Sequence, residues 1–148
     1  MIHRRPQGFT LVELLTVVTV IAILAGVAIP SYRQYIHRSN RAGAKTALLE
    51  NAQFLERNRT TSNRYDLDGA GNPVDSDSLL VKQSPQDGRA QYTIAFAANP
   101  TRTAFTLVAT PVSGGPMAGD QCGSFTLNDQ GKKGLTGATA AVSECWNK

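Results

Sequence analysis

What the chain has little of narrows its class first. Its 148 residues hold two histidines, two cysteines and one tryptophan. Neither Cys122 nor Cys145 sits in a C-x-x-C motif, and His3 and His37 are too remote in sequence to complete a zinc set with them. No nucleophile–base pair, metal cluster or phosphate-cradling loop can be assembled, so the chain is expected to have no catalytic residue, no metal and no cofactor, and to be no enzyme. Residues 66–72 (Asp66-Leu67-Asp68-Gly69-Ala70-Gly71-Asn72) touch on a calcium loop, but Asp77 stands where the loop needs a Glu, and a solvated turn is the reading. Charge is sparse too. Asp, Glu, Lys and Arg make up 18% of the chain, with no acidic or basic block and a formal net charge of +4. That balance is too mild to argue by itself for a nucleic-acid partner.

What the chain does have is one long apolar run. Residues 9–29 follow a short basic lead, residues 1–8, and the only charge within the run is Glu13. About 21 residues at roughly 1.5 Å each reach about 30 Å, the thickness of a bilayer's hydrocarbon core. Three readings compete. A secretory signal would use Arg4 and Arg5 as its basic region and Gly26-Val27-Ala28 as its cleavage site. A twin-arginine signal would rest on Arg4-Arg5 alone. The third is a retained helix whose lead is cut off before the apolar run. Glu13 decides for the third: a carboxylate in an apolar helix costs about 3 kcal/mol, and neither signal type has a use for it.

On Gly8-Phe9-Thr10-Leu11-Val12-Glu13, an unbroken Gly-Phe-Thr-Leu-x-Glu leader pattern ahead of an apolar run, the chain resembles the type IV pilin superfamily. The resemblance implies cleavage between Gly8 and Phe9 by the prepilin peptidase/methyltransferase and N-methylation of Phe9. It also implies that Glu13 serves assembly by partnering the N-terminal amine of a neighbouring subunit. The physics is compatible: two opposite charges taken out of water are better paired than left alone. Glu13 is also one turn from its own Phe9, so a pair within one chain is geometrically open. Later stretches are similar to PilE-type minor pilins: Ser84-Pro85-Gln86-Asp87-Gly88, Tyr92-Thr93-Ile94, Asp120-Gln121-Cys122-Gly123-Ser124-Phe125-Thr126-Leu127, Gly131-Lys132-Lys133-Gly134 and Cys145-Trp146.

Beyond the run, Gly26 and Pro30 lie four apart, and the missing proline N–H predicts a helix kink there. Tyr32 and Tyr35 suit either a membrane interface or packing within a fibre. Ala44, Ala47, Leu48, Ala52 and Leu55 share one helical face, and the helix is expected to reach about Arg57. Residues 60–87 read as a loop. Strands are expected at 91–97, 103–110, 123–127 and 132–136. The two late cysteines of a membrane-attached chain point to an oxidising compartment and a Cys122–Cys145 disulfide, worth about 3.5 kcal/mol by loop closure. Arg33, Arg38, Arg41 and Lys45 outnumber Arg4 and Arg5, so the positive-inside rule favours a cytoplasmic C-terminal side; the disulfide argues the opposite and is given precedence.

The expected layout is therefore a leader (1–8), a helical stem (9–57, with 9–29 spanning the membrane) and a head (58–148). The fold class is α+β, a long N-terminal helix packed on a C-terminal antiparallel sheet. The resemblance implies a minor pilin needed for pilus assembly, twitching motility and attachment. It would wait in the inner membrane with its N-terminus cytoplasmic and then join an extracellular pilus. Its partners would be major and minor pilin subunits, the prepilin peptidase/methyltransferase, the inner-membrane assembly platform and, before assembly, membrane lipid. Two alternatives differ in class: a type II secretion pseudopilin, and a DNA-binding pilin for natural transformation. The latter would use Arg57, Arg59, Arg64, Arg89, Arg102, Lys132 and Lys133 as a basic stripe on the head.

Overall fold

A computed structural model of the chain describes residues 9–147. It divides into two compact units, Met1–Ile36 and His37–Lys148. Helix α1, Leu11–Ser62, contributes to both. It starts where Thr10 Oγ1 accepts the Glu13 N–H at 3.2 Å, an N-cap that satisfies one orphan donor. Along the apolar run the hydroxyls of Thr16 and Thr19 donate to the carbonyls of Glu13 and Leu15, at 2.9 and 2.8 Å. Polar groups that lipid could not satisfy are thus satisfied within the helix. Gly26 and Pro30 lie in this unit inside an uninterrupted stretch of helix. Among the described residues, α1 is the helix long and apolar enough to cross a membrane, and none of its apolar window is buried.

The helix ends at Ser62, five residues beyond the expected Arg57. Ser and Thr in 60–62 read as loop formers, but their hydroxyls back-bond to the carbonyls of Arg57 and Asn58. Asn63 then takes a left-handed conformation, φ 57°, and donates to Arg59 O at 2.8 Å, a left-handed cap of the last turn.

In the head, five antiparallel strands run in sequence order: β1 Gln83–Ser84, β2 Tyr92–Phe96, β3 Thr106–Pro111, β4 Ser124–Asn128 and β5 Lys133–Thr136. A five-residue helix, α2, Val142–Trp146, closes the chain. The α+β architecture expected from the sequence is the one observed. The inner sheet face carries Tyr92, Ile94, Leu107, Ala109, Phe125 and Leu127, which share one buried cluster with Ala44, Ala47, Leu48 and Leu55 of α1. Strand β3 begins at Thr106 rather than 103, because Thr101 and Ala104 close a turn on each other first.

Two features hold β1 and its approach to α1. Asn51, buried in the helix face, donates to Val81 O at 2.7 Å and accepts from Val81 N–H at 3.1 Å, standing in for a strand neighbour. Gly43 lets β1 come close: a Cβ there would lie 2.6 Å from Ser84 Oγ. Neither the two-residue β1 nor α2 has a periodic signal, and neither is expected from the sequence.

Candidate functional site

Three places carry the chemistry singled out above. At the N-terminal unit, Gly8 lies outside the described residues. Phe9 is 82% exposed. Glu13 is exposed in the first turn of α1, where the helix dipole favours a carboxylate. That is a local stabilising reason for an acid here, independent of any partner.

The second place is where the C-terminal segment is moored. Cys122 and Cys145 form a disulfide, both residues fully buried. His37, Arg41 and Lys45, successive turns of one face of α1, meet the two ends of this bond. Arg41 grips Asp120 bidentately, Nε to Oδ1 at 3.0 Å and Nη2 to Oδ2 at 2.6 Å. His37 Nδ1 lies 3.3 Å from the same Oδ2. Asp120 Oδ1 also accepts the Cys122 N–H at 3.0 Å. At the other end, Lys45 Nζ donates to the carbonyls of Cys145 and Trp146, at 3.1 and 3.2 Å. Burial alone would raise the Asp120 carboxyl; hydrogen bonds from Arg41, the Cys122 amide and His37 overcome it and hold the group below the usual carboxylate range. Lys45 is lowered by burial, then by the charges of Arg41 and Lys133. Gly123, at φ 56°, allows the strand after Cys122 to pass Thr136, whose carbonyl would lie 2.5 Å from a Cβ. Trp146 Nε1 donates to Gly134 O at 3.0 Å, and its ring meets Phe125 edge-on at 5.6 Å.

The third place is the end of the head opposite the β1–β2 connection. Antiparallel register brings the 97–105 and 129–132 connections to this end, and the Asp129 N–H donates to Phe105 O. The end of α1 joins them through Tyr65, whose N–H donates to Arg102 O at 3.2 Å. Here stand Arg59, Arg64, Arg102 and Lys132, with Lys133 at the start of β5. The seven-residue stripe is therefore not one surface. Arg89 sits in the β1–β2 connection at the other end of the sheet, and Arg57 lies over Phe54, 5.8 Å from its ring centroid, on the side of Leu80.

The cations at this end differ in how they are used. Arg64 is engaged by Asp66 with two bonds of 2.6 Å, which raises the guanidinium and lowers the carboxyl. Arg59 donates to Tyr65 Oη at 2.8 Å and lies over the Tyr65 ring at 4.8 Å, and that bond raises its pKa. Tyr65 Oη donates in turn to Glu56 Oε1 at 2.7 Å; burial first, then that bond, push the phenol up. Lys133 lies over the Trp146 ring at 5.4 Å. Lys132 and Arg102 are exposed. Between α1 and the β4–β5 hairpin runs a hollow of about 330 Å³ walled by Leu49, Ala52, Phe105 and Leu127, with Glu56 and Asp129 at its rim. Asp68 uses its oxygens on the N–H groups of Ala70 and Asn72 within its own loop. Tyr65 and Asp120 carry this geometry, yet sequence reasoning gave neither a role: one sits in a loop without periodicity, the other's partners are some eighty residues away.

Comparison with known proteins bears on the family. The family model described as "Type IV minor pilin ComP, DNA uptake sequence receptor" matches residues 30–126, well over half of the chain. The "Prokaryotic N-terminal methylation motif" matches residues 3–29. A Pseudomonas aeruginosa "Fimbrial protein" is 33% identical over 104 residues, 57% of this chain and 64% of the relative. A Dichelobacter nodosus "Type IV major fimbrial protein FimA" is 48% identical over 54 residues, 32% of this chain and 34% of the relative. The chain thus spans less than two thirds of the length of these curated relatives. The crystal structure of the Neisseria meningitidis non-core minor pilin PilV shares the fold, with a TM-score of 0.52 and 24% identity, over 73% of this chain and 94% of that one. The family match is to the ComP type of minor pilin rather than specifically to the PilE type that the later motifs resemble. The matches describe structural fimbrial subunits rather than enzymes, and the one apolar N-terminal helix among the described residues is that of a membrane-anchored prepilin. The chain belongs to the type IV minor pilins.

Proposed function

We propose that this minor pilin is a DNA receptor carried on a type IV pilus-like fibre. The observation that carries the proposal is the match of residues 30–126 to a family described as a DNA uptake sequence receptor. A net charge of +4 argues little for nucleic acid because it averages over the whole chain. What matters to a phosphate backbone is local: Arg59 in the last turns of α1, Arg102 and Lys132 on connections and Lys133 at the start of β5 stand at one end of the head, where exposed cations position a duplex.

Assembly follows the pattern the leader implies. Cleavage after Gly8 and methylation of Phe9 would free a cationic terminus, and Glu13 would pair with that terminus on a neighbouring pilin subunit. The prepilin peptidase/methyltransferase and the inner-membrane platform are the partners of those steps. Twitching motility and attachment form the second reading, favoured by the identity to fimbrial proteins.

Deleting the gene separates these readings. Loss of DNA uptake with twitching retained is the expected result. Loss of twitching with uptake retained would return the motility reading. Blocked exoprotein release with both retained would make the chain a secretion pseudopilin.

A further inference from the structure

Glu56 and Arg59 are three residues apart on α1, a spacing at which a carboxylate and a guanidinium ordinarily pair. Among the described residues they make no direct ion pair. Tyr65 comes between them. Its ring is fully buried and fixed edge-on against Phe105, 4.9 Å between centroids at 82°. Its hydroxyl has one proton and gives it to Glu56, at 2.7 Å, while accepting from Arg59 Nη1 at 2.8 Å. The same ring lies under the guanidinium, 4.8 Å from its central carbon. Arg59 is thus braced on an aromatic face with one N–H used, and a guanidinium has five. Arg64 next door shows the alternative: the Nε–Nη2 edge of its guanidinium is engaged by both oxygens of Asp66, at 2.6 Å each, so a carboxylate already matches its charge.

Resting on the DNA-receptor reading above, we infer that Tyr65 is a positioning residue. By holding Glu56 away from Arg59 and bracing the guanidinium, it leaves Arg59 presented as a phosphate anchor. A flat, weakly hydrated guanidinium with several free N–H groups and no carboxylate of its own matches a phosphate's oxygens in a way that an arginine already paired with a carboxylate does not. Without the hydroxyl, Glu56 takes Arg59 for itself, and a cation of the interface is neutralised from within the protein.

The test uses the full chain in detergent micelles and a short fluorescent duplex DNA, titrated at several salt concentrations. Tyr65→Phe keeps the ring and its packing. It should weaken binding several-fold and reduce the slope of log K against log salt by about 0.9, the loss of one phosphate contact. Arg59→Gln should do the same, and adding Tyr65→Phe to it should change nothing further. Glu56→Gln added to Tyr65→Phe should restore both affinity and slope, because the competing carboxylate is gone. A purely structural role for Tyr65 would leave that rescue absent, and absence of rescue overturns the inference. So does a Tyr65→Phe chain that binds with wild-type affinity and slope, and either result leaves the receptor reading standing. A wild-type chain without salt-sensitive DNA binding overturns both.

Discussion

Between Leu11 and Ile29 nearly every side chain of α1 is exposed, and most of them are apolar; between Ala44 and Leu55 the same helix buries five residues against a sheet. The first stretch is more hydrophobic than the second and less buried. Apolar content therefore measures which solvent a helix is made for, and only periodicity measures which face it hides. The first stretch satisfies its own polar groups through Thr16 and Thr19 and leaves its surface to lipid or to other stems. The second spends polar side chains, Lys45 and Asn51, on the head itself, as Arg41 does one turn before it.

That contrast can be broken in order of expected effect. Glu13→Ala should abolish incorporation into fibres while leaving leader removal intact and the head's melting temperature unmoved. Normal incorporation would mean that the acid serves only the helix N-terminus. Cys122→Ser should destabilise the head by about 3.5 kcal/mol, the loop-closure value, with no effect on membrane insertion. An unshifted denaturation midpoint of the detergent-solubilised chain would show that the moorings alone hold the segment.

Arg41→Ala should lower head stability by about 3 kcal/mol, because it leaves the carboxylate of Asp120, whose side chain is 2% exposed, without its bidentate partner. The pH dependence carries the sign. Asp120 is held below its unfolded value, so its contribution is complete above about pH 4 and is lost as pH falls through the lower folded-state value. Asp120→Asn should flatten this acid limb of the stability curve; an unchanged limb would assign acid sensitivity to other carboxyls.

Much of this was legible beforehand, and the reason is periodicity. The helical face through Ala44, Ala47, Leu48 and Leu55 and the alternation of Tyr92, Ile94 and Phe96 state their partners' geometry directly. The leader motif is a contiguous string and needs no fold to be read. Three things were not legible. The two-residue β1 is made by Asn51 and Gly43 on a distant helix, so no local window contains its cause. The last turn of α1 is made from residues that read as loop, stabilised by their own hydroxyls. The grouping of Arg102 and Lys132 depends on strand register, and Tyr65 brings Arg59 to them from the end of α1; register separates them from Arg89 although all four are basic and exposed.

The β4–β5 hairpin hangs entirely between the two cysteines, and both of its roots are pinned to numbered turns of α1, through Asp120 on one side and Lys45 on the other. Its far turn, 128–132, is therefore a replaceable tip on a fixed handle. Insertions or exchanges there would alter the exposed tip that carries Lys132 while the handle keeps its address on the helix, without the scaffold having to be rebuilt.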